Sequence, residues 1–111
     1  YHYSFNLMEE LCGHAVPERV NVGAIGLRSE AIDWEKLEYQ AKTLEEKEGS
    51  SYLLEQALSA MLLAGQNCTA APEADYIVKP GKQQTLDKTG ILHHYVAESK
   101  EWYYREMWKK V

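Results

Sequence analysis

The stretch LLEQALSAMLL, residues 53 to 63, most limits what this chain can fold into. Leu53, Leu54, Ala57, Leu58, Met61 and Leu62 cover most of a helix's circumference, which places that helix in the core with other elements around it. Ser50 or Ser51 opens it and Gly65 closes it. Its few polar residues are Glu55, Gln56 and Ser59; positions 55 and 59 stack on one face, with Gln56 beside them. A buried polar group costs on the order of 1–3 kcal/mol unless it is paired. Glu55 and Gln56 therefore either bond loop backbone or edge a ligand cavity.

The surrounding elements follow from periodicity. Phe5 to Leu11 reads as a short helix stopped at Gly13, and Ser29 caps a longer one running to about Glu48. Trp34, Leu37, Ala41 and Leu44 form the buried stripe of that second helix. RVNVGAIGL (19–27), DYIVK (75–79) and ILHHYV (91–96) read as strands, and KQQTLDKTG (82–90) as a polar loop. A last helix runs from about Glu98 to Lys110. Strands interleaved with about four helices predict an α/β or α+β fold with a small mixed sheet of three to four strands. A chain of 111 residues is the size of a single domain.

Composition removes several classes of function. The net charge of −5 and the lack of a basic stripe speak against a nucleic-acid partner. No apolar run reaches the roughly 18 residues of a membrane span. Cys12 and Cys68 are far apart and belong to no CxxC pair, so neither a disulfide framework nor a zinc site is expected, and a cytoplasmic location is. The N-terminal YHYSFNLMEE carries no basic region and no initiator Met, and it reads as a cut inside a larger protein.

HHYVAESKEW, residues 93 to 102, carries the densest chemistry. Neighbouring strand residues point to opposite faces, so His93 and His94 do not easily share one metal ion. A strand that runs out into a helix start gathers backbone amides, and Lys100 adds a full positive charge there. A metal-holding imidazole and a phosphate-holding ammonium at this spacing suit a metal–diphosphate ligand; a core histidine and a surface lysine fit the same residues. In RVNVGAIGL, Asn21 and Gly23 share a face and set an amide beside bare backbone, which suits a polar ligand or tight helix packing. Trp102, Tyr103, Tyr104, Met107 and Trp108 make the last helix an aromatic packing or contact surface.

His94-Tyr95-Val96-Ala97-Glu98-Ser99-Lys100-Glu101-Trp102 resembles the His-x-x-Gly-x-x-Lys-Pro-Trp signature of family-eight-like retaining glycosyltransferases of the GT-A fold. That group contains glycogenin and bacterial lipopolysaccharide galactosyltransferases. Ala97 stands where the signature has Gly, and Glu101 where it has Pro. The family's Asn-x-Gly strand and Asp-Gln helix are matched in order by Asn21-Val22-Gly23 and Glu55-Gln56. The likeness covers roughly residues 19 to 108.

The resemblance implies the C-terminal part of a GT-A-like catalytic domain that moves a sugar from a nucleotide-sugar donor to an acceptor. It implies that His94 completes a Mn2+ or Mg2+ site and that Lys100 contacts the diphosphate, with Ala97 lending a backbone amide. Asn21 and Gly23 would border the donor, and Glu55 and Gln56 would orient its sugar. The family's Asp-x-Asp precedes its Asn-x-Gly strand and occurs nowhere here. The piece alone is therefore expected to be inactive, with the missing N-terminal half or a second copy as partner. The alternative is a non-catalytic interaction module that uses the aromatic C-terminal helix.

Overall fold

The computed structural model describes residues 1–110. They fall into two compact units, Tyr1–Cys68 and the segment from Thr69 onward. The described residues mix five α-helices with a parallel sheet of two strands, so the predicted mixture of helix and strand holds, and among them the predicted third and fourth strands are absent. No helix among the described residues is long and apolar enough to cross a membrane.

The first unit is built from α1 (Phe5–Cys12), α2 (Trp34–Glu48) and α3 (Leu54–Leu63). Ser4 caps α1 by accepting from the Leu7 amide, and Gly13 ends the helix in the left-handed region at φ 77°. The apolar α3 lies in the core, as its composition requires, with Ala57, Ala60 and Met61 buried. Its alanines offer little bulk, which lets α1 and α2 approach. Met8 and Leu44 fill the space between and are fully buried. Burial of side chains this size contributes roughly 1.5–3 kcal/mol each.

Several boundaries differ from the sequence reading. Ser29 opens only a short 3-10 turn, Ser29–Ala31, while Asp33 caps α2 by accepting from the Lys36 amide at 3.1 Å. Trp34 then sits in the first turn and is 68% exposed, outside the buried stripe assigned to it. Ser51 accepts from the Leu53 amide at 3.0 Å, and α3 starts one residue later.

RVNVGAIGL is not a strand. Asn21 Oδ1 accepts from the Gly23 amide at 2.8 Å, a local turn that competes with ladder pairing. The carbonyl of Val20 is taken by Gln56 Nε2 at 2.6 Å. With two glycines that supply no side chain to pack, the alternating pattern had nothing to hold it extended.

The second unit starts with β1 (Tyr76–Val78), crosses through α4 (Lys82–Asp87) and returns as β2 (Leu92–His94). The strands are parallel, with Tyr76 opposite Leu92 and Val78 opposite His94. Parallel neighbours need a crossover of about a dozen residues or more, and residues 79–91 supply it. The helix within that crossover replaces the polar loop expected there. Gln84 Oε1 accepts from the Gly81 amide at 2.9 Å, and Thr85 Oγ1 donates to the Gly81 carbonyl at 2.9 Å. Gly90, at φ 77°, brings the chain back to β2, where a Cβ would meet the Ala74 carbonyl oxygen at 2.8 Å. The final helix is broken into a 3-10 turn (Ala97–Ser99), α5 (Lys100–Arg105) and a second 3-10 turn (Met107–Lys110).

Candidate functional site

In the second unit, β2 delivers His94 to the end of the sheet, half-buried. Tyr76 lies on the same face of the neighbouring strand, and its hydroxyl meets His94 Nδ1 at 3.0 Å. His93 engages other partners. Its Nε2 bonds the carbonyl of Thr89, which can only accept, and its Nδ1 meets the Tyr95 hydroxyl at 3.0 Å. Tyr95 in turn meets Thr85 Oγ1 at 3.0 Å. His93 thus ties β2 to the crossover, while His94 is held from β1.

Beyond β2 the chain reverses at Ala97, whose φ of 55° lies in the left-handed region. Ser99 locks the turn, accepting from the Val96 amide at 2.9 Å and donating to the Val96 carbonyl at 2.7 Å. Lys100 follows at the start of α5 and is exposed. It lines a groove of about 280 Å³ with Tyr95, Tyr103 and Tyr104. The ring centroids of Tyr95 and Tyr103 are 5.5 Å apart, and those of Tyr103 and Tyr104 are 5.6 Å apart.

The charge of Lys100 has no acidic partner among the described residues. Glu98 faces Lys79 at 3.6 Å and Glu101 faces Arg105 at 3.3 Å. The Glu98 carboxyl is held below its ordinary range, first by its own backbone amide and then by the Lys79 ammonium. Both acids nearest in sequence are therefore engaged elsewhere. An unpaired cation beside three phenol rings is suited to an anion that carries a planar or apolar group.

The residues present do not make a metal centre. No group of three or more His, Cys, Asp or Glu side chains is gathered to hold an ion among the described residues. Tyr76 steadies the His94 ring much as outer partners steady ligating imidazoles. A single imidazole is still a single ligand.

Asn21, Gly23, Glu55 and Gln56 belong to the first unit. Gln56 and the Asn21–Gly23 turn come together through the bond from Gln56 to Val20. That bond is the loop-backbone partner one reading of Gln56 required. Glu55, in the first turn of α3, is exposed and so carries no burial cost. His94, Ala97 and Lys100 lie together in the second unit.

The sequence reading did not connect Lys100 with the tyrosines. Lys100, Tyr103 and Tyr104 are spaced i, i+3 and i+4, which puts them on one helix face, so the signal was available. Tyr95 and Tyr76 carried no comparable local signal. Comparison with protein-family models, with curated proteins and with solved structures gave no match.

Proposed function

We propose that this chain is the C-terminal part of a GT-A-type retaining glycosyltransferase and that the Lys100 groove binds the phosphorylated portion of a nucleotide-sugar. On this reading β1 and β2 belong to a larger sheet, and the sugar passes to an acceptor in the complete domain. The backbone at Ala97 carries the proposal. The signature it resembles has glycine there, and Ala97 adopts the left-handed conformation that glycine takes without cost. An alanine pays about 1–2 kcal/mol for that conformation. Such a turn is kept only where the surroundings demand it.

Lys100 would neutralise charge that develops on the diphosphate as the sugar–phosphate bond breaks. The exposed face of Tyr104 and the half-open ring of Tyr103 offer stacking surface for the base or the sugar. A divalent cation would need carboxylates beyond those gathered among the described residues. The roles that the resemblance implies for Asn21, Gly23, Glu55 and Gln56 remain part of the proposal.

Calorimetric titration of the chain with uridine diphosphate tests the reading. Heat of binding that weakens about tenfold or more in Lys100→Ala supports it, since a hydrogen bond to a charged group contributes about 1.5–3 kcal/mol. Binding that ignores the substitution, or no binding, removes it. The second reading, an interaction module, is favoured by Tyr104 at 69% and Trp108 at 55% exposure. It predicts a protein ligand whose binding falls in Trp108→Ala and survives Lys100→Ala.

A further inference from the structure

A second cavity lies wholly inside the first unit and has no part in the site above. It measures about 260 Å³ and is lined by Cys12 at the end of α1, His14 just beyond it, Asp33, Lys36 and Gln40 at and within α2, and Met61 of α3, among others. Gln40 is unusual among them. It is a polar side chain with only 5% of its surface exposed. Its Nε2 donates to the Leu11 carbonyl at 3.3 Å, while its Oε1 has no hydrogen-bond partner. A sealed carbonyl oxygen without a partner would cost free energy. No described buried side-chain oxygen is in that state, so Oε1 is open, and the space its residue lines is this cavity.

Lys36 sits one turn before Gln40, and side chains four apart on a helix are neighbours at about 5–6 Å. Its ammonium forms no ion pair among the described residues; the Asp33 carboxylate, which also lines the cavity, accepts from the Lys36 backbone amide as the helix cap. Met61 and Leu62 of α3 give the cavity an apolar side, and Leu37 of α2 adds to it. The cavity therefore presents an acceptor, a cation one helix turn away, a carboxylate already engaged as a helix cap, and an apolar side. Its volume falls below the roughly 300–1,000 Å³ typical of drug-sized ligands.

We propose that this cavity binds a small carboxylic acid that carries a hydrogen-bond donor beside the carboxylate and an apolar side chain, as an α-amino or α-hydroxy acid does. The donor meets Gln40 Oε1, the carboxylate meets Lys36, and the side chain lies on Met61 and Leu62. No bond is made or broken.

The test uses the chain with Cys68→Ser, which leaves the buried thiol of Cys12 as the reporter in the cavity wall. Iodoacetamide labelling of Cys12 is followed while L-leucine or 2-hydroxy-4-methylpentanoate is titrated. The proposal expects either acid to slow labelling at millimolar concentration or below. In Lys36→Ala, an exposed position whose loss leaves the core intact, the apparent affinity falls about tenfold or more. Protection by leucine alone assigns the donor to an ammonium, and protection by both assigns it to any N–H or O–H. Two results overturn the proposal: failure of both acids to protect Cys12, and protection unchanged in Lys36→Ala. 4-Methylpentanoate, which lacks the donor, serves as the Gln40 control without altering the protein. Equal protection by it overturns the role of Oε1.

Discussion

The phenol of Tyr76 reaches across the parallel pair to Nδ1 of His94 at 3.0 Å. Tyr76 pairs in register with Leu92, so His94 lies two residues farther along the same face of β2. Tyr76→Phe keeps the ring and removes the bond. We expect the second unit to lose about 0.5–1.5 kcal/mol in urea unfolding followed by tryptophan fluorescence. In the same variant the His94 ring signals should broaden or shift by NMR while those of His93 stay in place. Unchanged His94 signals would show that the bond does not position the ring.

Ala97 gives a prediction of opposite sign. Its φ of 55° disfavours any residue with a Cβ. Ala97→Gly should stabilise the chain by about 1 kcal/mol, because relief of the left-handed penalty exceeds the added entropy of the unfolded glycine. It also restores the residue of the signature that this segment resembles. Urea midpoints of the two proteins check it, and a lower midpoint for the glycine variant argues against a left-handed turn.

The N-terminus is fastened to the end of α2 by charge. The Glu48 carboxylate accepts from the Ser4 amide at 2.8 Å and from Ser4 Oγ at 2.6 Å. Bonding from the Ser4 hydroxyl, then from its amide, holds the Glu48 carboxyl below its ordinary range. A folded-state value below the unfolded one means the contribution is complete above the ordinary carboxylate range. It is lost as pH falls through the folded value. Wild-type stability should therefore decline on acidification more steeply than that of Glu48→Gln. Parallel pH profiles for the two proteins would contradict this. Ser4→Ala, which also removes the cap of α1, should cost about 1 kcal/mol near neutral pH.

Much of this architecture could be read from the sequence, and the misreadings share a physical cause. The three helices of the first unit were legible from apolar spacing, with the stops of the first two read at Gly13 and Gly49; the N-caps Ser4 and Asp33 were not read. β1 and β2 were legible from short apolar runs bounded by Pro80-Gly81 and Gly90. RVNVGAIGL has a strand's alternation, yet a strand also needs a partner, and no local pattern reveals that Asn21 turns on itself. The helix Lys82–Asp87 has no apolar stripe; Gln84 and Thr85 hold its first turn, and Thr85 meets Tyr95. At the candidate site, the register of His94 and Lys100 was visible in the sequence. The contact with Tyr76 was not, because it depends on a parallel pairing that the chain settles only in three dimensions.

Amide chemical-shift mapping of the labelled chain during titration with uridine diphosphate tests the central claim most directly. The account predicts saturable shifts centred on Ala97, Lys100, Tyr103 and Tyr104, the residues that turn into and line the groove. Shifts that fail to appear, or that bypass these four amides, would contradict an anion site at the end of β2.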